Sequence, residues 1–485
     1  MTFSTLTYSK LPLTVLAASL LLAGCASVGP DYKRPVLDTP ASISVAATAK
    51  PGAAVDLLQW WKSFQDPVLS GLLDEAAANS QDLALAAGRI EEARAVAAGT
   101  NSNRYPTVDG TLSGAKTRTS ENAGKLPAGA PVINRDYQVG LTASYEVDFW
   151  GKLRRADEAA RARLLAQEAS RGTVLATLYS NVAQSYFALR AYDAQVILAE
   201  STLKTRQENL RLQQKRFGAG SIGELDLHQA ESEAAATEVA LAQAVQGRAI
   251  TESALAVLVG RSPSAVVNPV VARGTSIDDL YQQLTVPADL PSDLLNRRPD
   301  ILAAEQSLVA ANADIGQAKS QYFPTVKLTS GIGYESNSFK QLIDPSSLLW
   351  NLGANLVQPI FRAGAIGAVV QGAEARKNQA LAQYVQTVQG AFRDVHDALT
   401  NMSANDQIMQ ATTRRVAALR DSLRLADLRY QNGYSSSLEV LNAQRDLLQA
   451  ESSLIDTKRA HLAAVVSLYK AVGGGWDKPE SLAAK

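Results

Sequence analysis

The chain has 485 residues with 47 basic and 47 acidic side chains, so its formal net charge is zero. No basic excess points to nucleic acid, no apolar run reaches the ~18 residues of a membrane-spanning helix, and a single cysteine excludes an intrachain disulfide. The length suits several domains or one elongated body.

Residues 1–24 read as a signal peptide: Lys10 is a thin positive start, residues 11–22 are apolar, and small residues follow. Leu22-Ala23-Gly24-Cys25 resembles the lipobox of bacterial lipoproteins, in which the cysteine becomes the lipidated first residue of the mature chain. Two or more acyl chains would make a stable anchor, at about 0.8 kcal/mol per buried CH₂. Ala26 rather than aspartate follows, which by lipoprotein sorting implies the outer membrane. Residues 25–66 then form a lipid-anchored arm, with Gly29-Pro30-Asp31-Tyr32-Lys33-Arg34-Pro35 near its start and Trp60-Trp61 near its end.

From 67 to about 101 the pattern is helical, with Pro67 at the start, where its missing N–H is not needed. Pro106 ends that helix and the period changes. Tyr137, Val139, Leu141, Ala143, Tyr145, Val147 and Phe149 alternate with Gln138, Gly140, Thr142, Ser144, Glu146 and Asp148, the mark of a strand with one apolar side. The run exceeds the roughly 9–11 residues a tilted strand needs to cross a bilayer. Its partner at 107–117 is weakened by glycines, and the hairpin spans about 104–149 around a polar loop at 118–134.

A long helix is predicted from 152 to 216, where Leu175, Val182, Leu189, Val196, Leu203, Leu210 and Phe217 recur every seventh residue. Such a period imposes a left-handed supercoil on packed helices. Glycines at about 217–223 make a tight turn, and a return helix follows at about 224–259.

The chain then repeats itself. R-F-G-A-G-S-I-G-E-L-D-L-H-Q-A-E-S-E at 216–233 matches R-Y-Q-N-G-Y-S-S-S-L-E-V-L-N-A-Q-R-D at 429–446, an offset of 429 − 216 = 213. The same offset pairs Arg163 with Arg376, Gly220 with Gly433, Leu225 with Leu438, Leu255 with Leu468 and Gly260 with Gly473. The chain is therefore a tandem repeat of one large unit, 67–262 and 299–473, joined by an equatorial linker at 263–298 and followed by a tail at 474–485. The second unit has a helix at 299–321, a hairpin at about 323–360 and a long helix at 365–430. That helix carries Val388, Val395, Met402, Met409, Val416, Leu423 and Tyr430 in the heptad slots; a tip turn at about 431–437 and a return helix follow. Arg297-Arg298-Pro299-Asp300 reads as a helix start. Each return helix has about half the length of its long partner, so each long helix is expected beside two shorter ones stacked end to end.

Two hairpins supply four strands, which cannot close on themselves. Open edges in lipid leave backbone groups unpaired at several kcal/mol each. Copies must therefore share one barrel. Three would give twelve strands, inside the usual even range, although periodicity does not choose three over two or four.

G-P-D-Y-K-R-P at 29–35, W-W-K-S-F at 60–64, E-V-D-F-W-G at 146–151, F-P-T-V at 323–326, R-R-P-D-I at 297–301 and L-E-V-L-N-A-Q-R at 438–445 resemble the TolC-like outer-membrane factors. Among these the chain is most similar to the lipoprotein branch serving multidrug efflux pumps, and the motifs run from Cys25 to Gly473. The resemblance implies a membrane α+β fold: a trimeric transmembrane β-barrel with four strands per subunit, continuous with a long periplasmic α-helical barrel. It implies a passive exit duct for small molecules such as drugs, in the outer membrane of a Gram-negative bacterium. A periplasmic adaptor and an inner-membrane pump of the RND type would engage and open its closed tip. Two other readings stay open: a duct for protein secretion, against which the lipobox and YKRP arm weigh, and a coiled-coil lipoprotein without a pore, against which the strands weigh.

The resemblance also carries a gate onto the second turn. Leu438 matches a leucine ring, Arg445 an arginine link, and Asn442 a position where aspartate is usual in that branch; Glu439 matches the acidic position of the TolC type itself. Asp226 and Tyr430 match positions that latch the two hairpins when closed, but the basic partner usual near Ser435 is missing. Gly220 and Gly433 mark the turns an adaptor would contact. Neither catalysis, a cofactor nor a metal finds support: His228, His396 and His461 stand far apart without carboxylate or cysteine partners at ligand spacing, and the serines at 435–437 have no adjacent base. His461 falls in the slot of Val440, Leu447, Leu454 and Leu468 and reads as a packed residue.

Overall fold

A computed structural model describes residues 27–40, 42–43, 56–123, 127, 129–282, 290–291 and 296–479. Cys25 and the signal peptide lie outside the described residues. The principal elements are α1 (Pro67–Asn79), α2 (Gln81–Ser102), β1 (Thr107–Arg118), β2 (Ile133–Val147), α3 (Lys152–Gly218), α4 (Glu224–Leu258), α5 (Ile277–Gln282), α6 (Pro299–Ser320), β3 (Thr325–Ser336), β4 (Leu348–Val357), α7 (Ala365–Gln431) and α8 (Ser437–Ala471). They fall into two compact units. One takes the arm up to Pro35 with 90–166 and 304–384, and the other takes the remainder.

In the first unit the strands form one antiparallel sheet in the order β1-β2-β3-β4. Leu141 lies opposite Gly110 on one side and Ile332 on the other, and Ile332 opposite Trp350. Val139 pairs in the same way with Leu112 and Tyr334. Because side chains alternate, this register gathers the apolar positions of all four strands on one face. Leu112, Leu141, Ile332, Trp350 and Leu352 stand exposed there. The other face is polar, with Thr142 between Asp109 and Gly331, and Lys327 between Glu146 and Asn355. β1 and β4 each have one partner in the sheet, so two backbone edges remain open.

The alternation expected through Phe149 stops earlier, at Val147. Asp148 turns away to cap α3, accepting hydrogen bonds from the amides of Leu153 (3.1 Å) and Arg154 (2.9 Å). Phe149 therefore does not belong to the apolar strand face. Trp150 stacks on Phe323 at 4.6 Å and donates through Nε1 to the Pro324 carbonyl. Below the sheet α6 lies between two long helices. Val309, Ala310 and Ala313 pack against Ala159 and Ala162 of α3, and Ile315 and Ala318 against Val370 and Ala373 of α7.

The arm is tied to the same unit. Val28 donates to the Trp150 carbonyl, Asn312 to that of Pro30, and Tyr32 to Glu305. Asp31 pairs with the buried Arg155 at 2.7 Å, and Arg34 with Glu305 at 3.3 Å. Burial and the Glu305 carboxylate raise the Tyr32 pKa, so its hydroxyl stays a donor.

In the second unit the helix expected as one piece over 67–101 is broken at Ser80, whose backbone is extended. Asparagine and serine compete poorly for helix interiors, and Gly260 packs so closely on the Asn79 carbonyl that a side chain there would collide with it. The W-W-K-S-F motif forms the core: Trp60 stacks on Tyr469, Trp61 meets Tyr179 edge-on at 4.8 Å, and Phe64 contacts Phe187 at 5.0 Å. Val182, Leu189, Val196, Val395, Met409 and Val416 of the two heptads are buried, whereas Phe217 is exposed. Near the end of α7, Ala426 packs against Val440 and Ala443 of α8, with Leu423 and Tyr430 alongside. Arg298 is more than a helix start: buried, it donates to the Ala471 carbonyl at the end of α8 and pairs with Asp300 and Asp394.

Asp66 explains the aspartate after the tryptophan motif. Its carboxylate caps α1 through the amides of Val68 and Leu69, and accepts from the Thr275 amide and the Tyr186 hydroxyl. Gly274 lies so close that a side chain there would strike the carboxylate. Asp66→Ala removes a cap and strands buried donors, so it is expected to cost about 2–4 kcal/mol. A thermal unfolding midpoint equal to that of the wild type would contradict this.

Candidate functional site

The two helical turns share one construction. After α3 the Gly220 amide donates to the Phe217 carbonyl and the Ser221 amide to that of Arg216; after α7 Gly433 donates to Tyr430, and Tyr434 to Arg429. Both glycines hold positive φ, 70° and 76°, which the closing bond requires and a side chain would strain. The return helices then start from extended residues, Gly223 and Ser436.

Among the described residues, two hydrogen bonds join the two turns. Arg216 Nη1 donates to the Tyr430 hydroxyl at 2.6 Å, with the guanidinium 5.8 Å from the ring centroid. Ser437 Oγ donates to Asp226 Oδ1 at 2.7 Å. The structure thus brings Asp226 and Tyr430 into contacts between repeats, but through Arg216 and Ser437. Arg216 had a sequence signal, since the 213-residue offset pairs it with Arg429. Ser435 keeps a buried hydroxyl without a partner.

Leu438 and Glu439 are exposed in the first turn of α8. The Glu439 carboxylate lies 3.4 Å from Arg429 Nε, an ion pair that sequence reasoning missed although the residues are ten apart across the turn. Arg445 Nη2 donates to Asn442 Oδ1 at 2.9 Å. Asn442 thus accepts from an arginine three residues on along the same helix.

Two histidines do have carboxylate neighbours, contrary to the expectation from spacing. His228 lies 2.9 Å from Glu231 and 3.8 Å from Glu224, one helical turn to either side, and the hydrogen bond to Glu231 raises its pKa. His461 is buried with Nδ1 3.1 Å from Asp406 and its ring edge-on to Tyr281; burial lowers its pKa. Among the described residues no three such side chains group to hold a metal ion.

The model of the family described as outer membrane efflux protein matches residues 72–261 and 290–474. The chain belongs to that family. The efflux protein is 37% identical over 473 residues to the cation efflux system protein CusC of Escherichia coli, covering 96% of this chain and 100% of CusC. It is 34% identical to the toluene efflux pump outer membrane protein TtgI of Pseudomonas putida, covering 97% and 99%. Its fold matches the open state of the Neisseria gonorrhoeae MtrE outer membrane channel with a TM-score of 0.82 at 29% identity, over 93% and 98% of the two chains. The efflux protein is thus an outer-membrane channel by fold and family.

Proposed function

We propose that this efflux protein is the gated, passive exit duct of a tripartite efflux system, energised by partners. The observation that carries the reading is a sheet with one continuous apolar face and two open edges, in a chain whose helical turns are tied by polar bonds. Lipid forbids the open edges. Three copies joined edge to edge give a twelve-stranded barrel with the polar face, Thr142 and Lys327 included, lining the lumen. A periplasmic adaptor engages the turns at Gly220 and Gly433, and an inner-membrane pump of the RND type supplies the work. Leu438, Glu439, Asn442 and Arg445 form the periplasmic gate, and Asp226 and Tyr430 belong to its latch. No step in this function calls for catalysis.

Cargo is a small molecule, from inorganic cations to organic solvents. CusC and TtgI serve cation and toluene efflux at nearly equal identity to this chain, so likeness alone does not choose between them. Selection rests with the pump. The test is planar-bilayer conductance of the purified protein together with its mass in detergent. A pore of trimeric mass supports the duct; a trimer without conductance supports the coiled-coil alternative.

The lipid anchor is Cys25. Ser27, two residues on, lies against Gly151 at the base of β2, which supports acyl chains emerging at the periplasmic edge of the barrel. Cys25→Ser is expected to abolish fatty-acid labelling of the mature chain, while the closed barrel still holds the protein in the membrane. Equal incorporation of radiolabelled fatty acid into the serine variant would remove the anchor.

A further inference from the structure

Arg206 lies on α3 and is only 3% exposed. Its Nη1 donates to Gln444 Oε1 of α8, and its Nη2 lies 3.6 Å from Glu233 Oε2 of α4. One buried cation therefore joins three helices belonging to both hairpins. The arrangement is poor as a stability device. Desolvating an ion costs several kcal/mol, and a single carboxylate at that distance compensates it incompletely. Burial and the nearby Arg445 lower the Arg206 pKa, while Glu233 opposes them. Apolar packing would hold these helices at least as well. A buried ionic contact of this kind is best suited to setting register between elements.

Its place along the helices shows which register. Arg216 and Ser437, which carry the two bonds between the turns, lie ten and seven residues nearer the tip than Arg206 and Gln444. Those intervals are about 15 and about 10 Å of helix. On the other side Gln195 Nε2 donates to Asp456 Oδ1 at 3.1 Å. Gln444 directly precedes Arg445, which is bonded to Asn442. A crevice of about 230 Å³ beside Arg206, lined by Thr202, Thr205, Leu423, Leu447 and Glu451, leaves space for the helices to shift.

We propose that Arg206 is the positioning residue of the gate: it pins α8 to the first hairpin at Gln444, so that the gate residues swing about that point when the two tip bonds release. The proposal rests on the tip being the gate. Opening then moves Leu438, Glu439 and Asn442, between the pin and the turn, while Arg445 stays beside the pin, and it ends in one defined state.

The test is single-channel recording of the full-length protein in planar bilayers. The tip variant Arg216→Ala/Asp226→Ala is expected to open to a single higher level. Arg206→Met alone should stay at the wild-type level, because the tip bonds remain. Adding Arg206→Met to the tip variant should replace the single level by a broad spread, and Arg206→Lys in that background, which keeps the charge, should restore it. The same single level with methionine as with arginine would overturn the proposal. If the tip variant itself conducts as the wild type does, the gate reading fails, and nitroxides on the exposed Gln214 of α3 and Asp446 of α8 decide for Arg206. The pin requires Arg206→Met, added to the tip variant so that no tip bond holds the helices, to broaden their separation by more than the about 1–2 Å of an ordinary helix shift; an unchanged distribution overturns it.

Discussion

Leu438→Ala is expected to raise the resting conductance of the reconstituted efflux protein, and Glu439→Gln to weaken its block by divalent or trivalent cations added on the periplasmic side. Leu438 follows Ser437, whose hydroxyl is bonded to Asp226, and that bond fixes where the leucine stands. In the proposed gate, three copies of that apolar side chain around an axis would obstruct the opening by size, and truncation to alanine would clear it. Glu439 acts through charge. Three carboxylates at an assumed separation of ~6 Å and an effective dielectric of ~20 would repel by roughly 3 kcal/mol per pair before screening, and a cation between them relieves that repulsion.

Arg429 tempers this effect. At 3.4 Å it sets a positive charge beside each carboxylate, although both side chains are exposed and solvent weakens the pair. Arg429→Gln should therefore strengthen cation block, opposite in sign to Glu439→Gln. Asn442→Asp should strengthen it too, but less, because Arg445 already donates to that position and would pair with the new carboxylate. Single-channel block curves separate these outcomes. Unchanged conductance and block in Leu438→Ala, Glu439→Gln and Asn442→Asp together would place the constriction elsewhere.

The second large effect concerns insertion. Leu141→Arg puts a charge on the apolar face, between Gly110 and Ile332, and is expected to impair insertion by about 2–4 kcal/mol if it lies near the midplane. Thr142→Arg faces the other way, between Asp109 and Gly331, and should insert as the wild type does. The register makes this contrast sharp, because a slip of one residue would exchange the two faces. Heat-modifiability of the folded barrel on gels is the readout. Equal insertion of both variants would remove the register and the barrel with it.

Local pattern alone specifies the repeat, the four strands with their apolar face, the long heptad helices and the two glycine turns. Each is written in local periodicity, 2 for strands and 7 for coiled helices, or in a residue type that one backbone angle requires. Two local expectations gave way where a polar group found a better use. Phe149 left its strand because Asp148 caps a helix, and the first helix broke at Ser80, just after Asn79, whose carbonyl Gly260 crowds. Which side chains meet across the repeat is visible in the folded chain and not in its pattern. Arg216 reaches Tyr430 over 214 residues, Ser437 reaches Asp226 over 211, and Arg206 reaches Gln444 over 238. No period in the chain encodes such pairs. They depend on how two coiled hairpins rotate and slide against each other, which is set by the summed packing of many small side chains such as Ala426, Val440 and Ala443 rather than by any one of them.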